Sequence, residues 1–297
     1  MRVQEAYKQL MYQLFELYDD REAANIADMI IEHITGFKRI DRIINKQFPL
    51  TKEQEQLLNS YTVQLLDHRP VQYVLHEEWF AGMQFYVDEN VLIPRPETEE
   101  LVEWITREVA SLEFRVYSVL DIGTGSGCIP VAVKKKISSL EVHALDVSAT
   151  ALAIAKKNAA IQKTEIVFHQ LDILNKDEWK RLPKFDIIVS NPPYIKQSEA
   201  NEMHKNVLQH EPHLALFVPD EDALLFYKTI AVFSKQHLNS KGKLFFEINE
   251  ALGKEVCALL EQQGYTNIEL RKDMQGKDRM VKAEINILIT TLQSPQP

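Results

Sequence analysis

Asn191-Pro192-Pro193-Tyr194 ends the apolar run Asp186-Ile187-Ile188-Val189-Ser190, which reads as a buried strand. Taken alone, such a stretch would be a proline-stiffened turn with Asn191 as a cap. Its residue types also suit a specific task. The Asn191 side-chain oxygen can accept one hydrogen bond, and the Pro192 carbonyl can accept a second, held rigid by two fixed φ angles. Tyr194 offers a flat face on which a planar group can stack. Two acceptors and an aromatic face fit an NH2 group on a planar carrier: a carboxamide, adenine, cytosine or guanine. The nitrogen lone pair of such a group is delocalised into its carrier. Accepting both N–H bonds would favour a pyramidal nitrogen and free the lone pair to attack an electrophilic methyl group, by positioning and preorganised acceptors.

A second constellation lies upstream at Asp121-Ile122-Gly123-Thr124-Gly125-Ser126-Gly127-Cys128. Glycines at alternate positions let the chain turn sharply from strand to helix and let a ligand approach the backbone. The spacing differs from the dinucleotide fingerprint that seats a pyrophosphate. Asp146, closing "VHALDVS" about 20 residues further on, is placed to accept from two ribose hydroxyls. Asp121 beside the loop would repel a diphosphate and attract a cation. Ribose, no phosphate and positive charge together describe S-adenosylmethionine, whose product would be S-adenosyl-L-homocysteine; Asp172 in "QLDIL" could hold the adenine amino group. A nicotinamide dehydrogenase is the alternative for this half of the site.

The elements that must position these residues follow from periodicity. From Tyr117 onward, short apolar runs alternate with helical patterns: strands at 117–121, 141–146, 164–169, 184–190 and 242–248, helices at 126–137, 148–160, 222–238 and 250–263, and a terminal strand pair near 266–271 and 280–289. Such alternation predicts a mostly parallel, doubly wound α/β sheet. Ahead of it, Val3, Ala6, Tyr7, Leu10, Leu14 and Leu17, then Ile26, Ile30, Ile34 and Phe37, recur at helical spacing. Thr51 to Gln54 is a capping-box pattern followed by Leu57, Leu58, Tyr61 and Leu65. The expected organisation is a helical domain over 1–75, a β-hairpin linker over 76–96 around Ala81-Gly82, and the α/β domain over 97–290.

Composition narrows the function classes. The 297 residues carry a formal net charge of −9 and 26% charged residues, opposite to the bias of a protein that neutralises phosphates. Nucleic acid is therefore not the expected substrate. Cys128 and Cys257 offer no disulfide framework, so a cytoplasmic protein is expected. The N-terminus lacks the apolar core of a signal peptide, and no stretch approaches a membrane span. His204, His210, Glu211 and His213 do not have the spacing of a recognised metal set; no metal is expected. Trp79, Trp104 and Trp179 are expected as core or hairpin anchors, Cys128 as a small buried helix residue, and Glu247 in "LFFEIN" as a group at the site's edge.

With both motifs placed, the chain resembles the HemK/PrmC family, the release-factor glutamine N5-methyltransferases. The stretches that carry the resemblance are "RPVQYVL", "VLIPRPETEELVE", "DIGTGSGCI", "IVSNPPYI", "EPHLALF" and "KDMQGKDRMVKA", covering Arg69 to about Ala283; "IPRPETE" is the most discriminating. The chain departs from the family pattern at "VPDEDALLFY" and "FEINEALG". The resemblance implies an S-adenosylmethionine-dependent, Rossmann-like methyltransferase domain with an N-terminal helical bundle that helps grip the substrate. It implies methylation of the glutamine in the Gly-Gly-Gln motif of peptide chain release factors. Gly123, Thr124, Gly125, Ser126, Gly127, Asp146, Asp172, Ile173 and Asn191 would contact the cofactor. Asn191, Pro192, Pro193 and Tyr194 would hold the glutamine amide, with Asn191, Pro192 and Tyr194 as the catalytic groups. Ribosomal-protein glutamine methylation and adenine-N6 or guanine-N2 methylation of nucleic acid are the alternatives.

Overall fold

The computed structural model describes residues 1–111 and 117–285. The elements run, in chain order, α1 (Val3–Leu14), α2 (Asp20–Thr35), α3 (Arg39–Ile44), α4 (Lys52–Leu66), α5 (Val71–Leu75), β1 (Glu78–Phe80), β2 (Met83–Phe85), α6 (Pro96–Ser111), β3 (Ser118–Ile122), α7 (Cys128–Lys136), β4 (Glu141–Asp146), α8 (Ala149–Ile161), β5 (Val167–Gln170) and β6 (Phe185–Ser190). There follow β7 (Ile195–Lys196), α9 (Lys205–His210), α10 (His213–Leu216), β8 (Phe217–Val218), α11 (Leu225–His237), β9 (Leu238–Glu247), α12 (Gly253–Gln262), β10 (Thr266–Lys272) and β11 (Asp278–Glu284). Residues 286–289 of the last expected strand, and the tail beyond, lie outside the described residues.

Two compact units result: Met1–Glu78 with Val87–Glu89 and Glu202–Glu211, and Trp79–Tyr86 with Asn90–Asn201 and Pro212 onward. The first is helical. Val3, Ala6, Leu10 and Leu14 of α1 and Ile26, Ile30 and Ile34 of α2 bury one stripe each, as the 3.6-residue period requires. Leu17 falls in the turn after α1. Asp19 caps α2 by accepting from the Arg21 and Glu22 N–H groups, and Gly36 ends it at φ 73°. Thr51 and Gln54 form the reciprocal capping box of α4. From that start Leu58, Thr62 and Leu65 face inward, leaving Leu57 on the exposed side. The segment carrying α9 joins this unit, where His210 Nε2 donates to the Asp67 carbonyl at 2.8 Å.

The second unit is built on a seven-stranded sheet ordered β10-β11-β9-β6-β3-β4-β5, in which β11 runs antiparallel to both neighbours. Successive strand residues point to opposite faces. Val119, Ile187, Val189 and Phe245 pack against α6 and α7; Leu120, Ile188, Leu244 and Phe246 pack against α11 and α12. Both faces are covered, so the strands read as unbroken apolar runs rather than alternating ones. Chain order reverses at β3, with β4 on one side and β6 on the other. In open α/β sheets the crevice at the carboxyl ends beside such a reversal is where ligands bind.

Candidate active site

Strand register brings the two motifs to one edge. Ile122 pairs with Leu145 and with Ser190, and Ser190 pairs with Phe246. The next residue on each strand is therefore Gly123, Asp146, Asn191 and Glu247, side by side across four neighbours. The Ser190 hydroxyl ties the row together by donating to the Ile122 carbonyl at 2.7 Å.

At the β3–β4 end, the Gly123 and Thr124 N–H groups donate to the Leu145 carbonyl, both at 2.9 Å. Gly125 has φ 53° and donates its N–H to Asp146 Oδ2 at 2.9 Å; a Cβ there would meet nothing within 4 Å. Gly127 serves another purpose. At φ 79° it begins α7, and a Cβ would lie 3.0 Å from the Ala155 side chain and 3.1 Å from its backbone, so glycine permits close packing of loop on α8. Ser126 is buried, and its carbonyl accepts from Asn158 Nδ2.

Asp146 accepts from Gly125 through one oxygen and from the Ser148 N–H through the other. Burial raises its pKa, against these backbone hydrogen bonds. A carboxylate has about four lone-pair sites, so both oxygens keep capacity for hydroxyl donors. Asp121 is fully buried, and neither its oxygens nor the buried Thr124 hydroxyl beside it meets a partner in full hydrogen-bond geometry among the described residues. Desolvation pushes the Asp121 pKa up to about 7; the neighbouring Thr124 hydroxyl opposes this and the Asp146 charge adds to it. A buried carboxylate without a partner is costly. It is suited to a cationic ligand that brings its own donors. These residues fit the cationic nucleoside that the sequence pattern implies.

Asp172 and Ile173 follow β5. Asp172 is half-buried and Oδ1 accepts from its own turn, the Leu174 N–H at 2.9 Å. The Ile173 side chain packs in the core with Leu171 and Trp179, and its carbonyl accepts from the Trp179 indole.

At the β6–β9 end, Asn191 and Tyr194 are half-buried, Pro192 is buried and Pro193 half-buried. Asn191 Nδ2 donates to Thr98 Oγ1 at 3.5 Å, and the Thr98 hydroxyl donates to Glu247 Oε2 at 2.7 Å. Glu247 is raised to about 7, by burial first, with Glu97 adding and Thr98, Arg279 and Asn191 opposing. Tyr194 is pushed up to about 12 by burial and by Glu247, so its phenol is neutral at physiological pH and is no base. Arg279, near both, is held by Asp273 Oδ2 at 3.1 Å and Glu250 Oε2 at 3.4 Å.

Sequence reading passed over Thr98 and Arg279. Both stand in stretches that carried the resemblance, "VLIPRPETEELVE" and "KDMQGKDRMVKA", but their spacing showed no chemistry. Pro96 opens α6, the position where its missing N–H costs nothing, and this sets Thr98 on the first turn beside Glu247. Cys128 is buried at the start of α7 and raised to about 12 by burial, which leaves it an inert thiol. Trp104 and Trp179 are core residues, whereas Trp79 on the hairpin is 62% exposed. No group of three or more metal-ligating side chains occurs among the described residues, and no described helix is long and apolar enough to cross a membrane.

Fold and edge together define a methyltransferase. Residues 99–215 match the methyltransferase small domain family, and residues 5–75 match the PrmC N-terminal domain. A solved methyltransferase from Pyrococcus furiosus superposes with a TM-score of 0.50 at 15% identity, covering 77% of this chain and all of that one, a likeness of fold alone. Release factor glutamine methyltransferase of Flavobacterium psychrophilum is 44% identical over 275 residues, covering 92% of this chain and 96% of the relative. That of Bacteroides thetaiotaomicron is 39% identical over 270 residues, covering 91% and 95%. The chain belongs to the release factor glutamine methyltransferase family.

Proposed function

We propose that this protein transfers a methyl group from S-adenosylmethionine to the side-chain amide nitrogen of the glutamine in the Gly-Gly-Gln motif of cytoplasmic peptide chain release factors. The observation that carries the reading is the row Gly123, Asp146 and Asn191 on neighbouring strand ends. It supports a nucleoside site beside an amide acceptor. Bound S-adenosylmethionine supplies an electrophilic methyl on a cationic sulfur. Asp146 accepts from the ribose hydroxyls, and Asp121 with Thr124 receives the ammonium group. Gly123 to Gly127 give the backbone room for close approach, and Asp172 and Ile173 line the adenine side. Asn191 Oδ1 and the Pro192 carbonyl accept the two N–H bonds of the glutamine amide. Its nitrogen is thereby aimed along the line of transfer, while Tyr194 and Pro193 flank the amide plane. The proton leaves after transfer, so no strong base is required. The helical unit takes the role of gripping the release factor.

The test uses purified protein with methyl-labelled S-adenosylmethionine and three acceptors: a release factor, its Gly-Gly-Ala variant and bulk nucleic acid. Label should enter the release factor only, and the variant should stay unlabelled. Label entering nucleic acid alone would refute the reading.

A further inference from the structure

A carboxamide is nearly symmetric in shape. Asn191 could present either Oδ1 or Nδ2 to a substrate NH2, and only the oxygen accepts; a reversed amide would set donors against donors. The half-burial of Asn191 does not choose between them. The choice is made behind it. Glu247, when ionised, is an acceptor only. It takes the single hydrogen of the Thr98 hydroxyl at 2.7 Å in a buried bond. Thr98 Oγ1 then has only lone pairs to offer, so the group facing it at 3.5 Å must be a donor, which is Asn191 Nδ2. Asn191 also lies close enough to Glu247 to favour the ionised carboxylate; a reversed amide would turn oxygen toward that charge.

We propose that Thr98 and Glu247 are positioning residues that fix the orientation of the Asn191 amide, so that Oδ1 faces the substrate nitrogen. The polarity runs one way, from carboxylate to hydroxyl to amide. Arg279, anchored by Asp273 and Glu250, lies near enough to Glu247 to favour its ionised form against the burial that opposes it. The assignment also gives a physical role to the "PETE" stretch: it delivers a hydroxyl, on the first turn of α6, to a carboxylate at the end of β9.

The assignment rests on the amide-methylation reading for its effect on turnover, so the test has two arms. In the kinetic arm, Thr98→Val should lower kcat about 100-fold, the scale of a misplaced catalytic group, with the KM for release factor and cofactor affinity little changed. Thr98→Ser, which keeps the hydroxyl, should restore most of the rate. Glu247→Gln, whose amide can donate to Thr98 and so release its hydroxyl, should fall between them. In the second arm, which needs no substrate, the Asn191 side-chain amide is followed by nitrogen-15 NMR. One of its two protons should exchange slowly in the wild type, and both should exchange fast in Thr98→Val. The proposal is overturned by two fast-exchanging protons in the wild type, by near wild-type kcat in Thr98→Val, or by failure of Thr98→Ser to rescue. Wild-type protein that methylates no release factor would refute the substrate reading and leave the NMR arm to decide the orientation.

Discussion

Asp121 and Glu247 belong to opposite ends of one sheet edge, and their environments begin alike. Both are buried carboxylates, and both are pushed up to about 7 chiefly by the loss of solvent. They differ in partners. Glu247 accepts from Thr98 and lies near Arg279, so its charge is answered from within the chain. Asp121 has no cation beside it among the causes that set its pKa and only the Thr124 hydroxyl nearby, short of full hydrogen-bond geometry. An unanswered buried charge costs stability that a well-packed apolar residue would not. Its placement beside an open glycine loop makes sense where a ligand brings the countercharge. On the proposed function, the β3–β4 end would receive a cation, and the β6–β9 end, with its polarity set as inferred above, would orient an amide.

Separating the two ends by mutation is the strongest test of that contrast. Asn191→Ala removes the acceptor and should lower turnover by about 1000-fold, as for loss of one preorganised transition-state partner. Cofactor affinity, read by calorimetry, should fall much less; near wild-type turnover would break the division of labour. Asp121→Asn should do the reverse, weakening cofactor binding by about 10-fold or more, the scale of a lost charge-assisted hydrogen bond.

The pH dependence sharpens this second case. A cation binds the ionised carboxylate, and the Asp121 pKa stands near 7 before binding. Cofactor affinity should therefore rise from pH 5.5 to about 7 and level off above it. In Asp121→Asn that rise should disappear. Titrations at several pH values check it, and an unchanged slope would assign the dependence to another group.

Ser190→Ala gives the smallest effect. Its hydroxyl joins the two ends by donating to Ile122 from a fully buried position. Loss should cost about 1 kcal/mol of unfolding free energy, measured by chemical denaturation. If both cofactor affinity and turnover stay within about threefold, the ends operate independently; a larger joint loss, beyond about 0.7 kcal/mol by the tenfold-per-1.4 rule, would show that they are coupled.

Much of the fold was legible because it is encoded locally. The capping box at Thr51 and Gln54, the buried stripes of α1 and α2, and the alternation from Ser118 onward are short-range patterns, and the structure realises them. The run from Leu238 was missed as part of β9 because Asn239, Ser240 and Lys241 interrupt its apolar pattern. Which of the adjacent Leu57 and Leu58 faces inward was not legible, because the stripe is ambiguous until the helix start is known; Leu58 is buried and Leu57 exposed. Within the site, Gly123 to Gly127, Asp146 and Asn191 were readable as strand-end residues. Thr98 was not, because a threonine on a first helical turn looks like any other until its neighbour is seen.

The sequence by itself determined which side chains could do chemistry and that each stands at the end of an element, since type and spacing act over a few residues. Only the tertiary structure decided which of them meet. Thr98 reaches Asn191 across 93 residues and Glu247 across 149, and residues 202–211 leave the α/β unit to join the helical one. The meeting of Asn191 with Glu247 follows from strand order and register, set by packing both sheet faces at once. No local pattern carries that information.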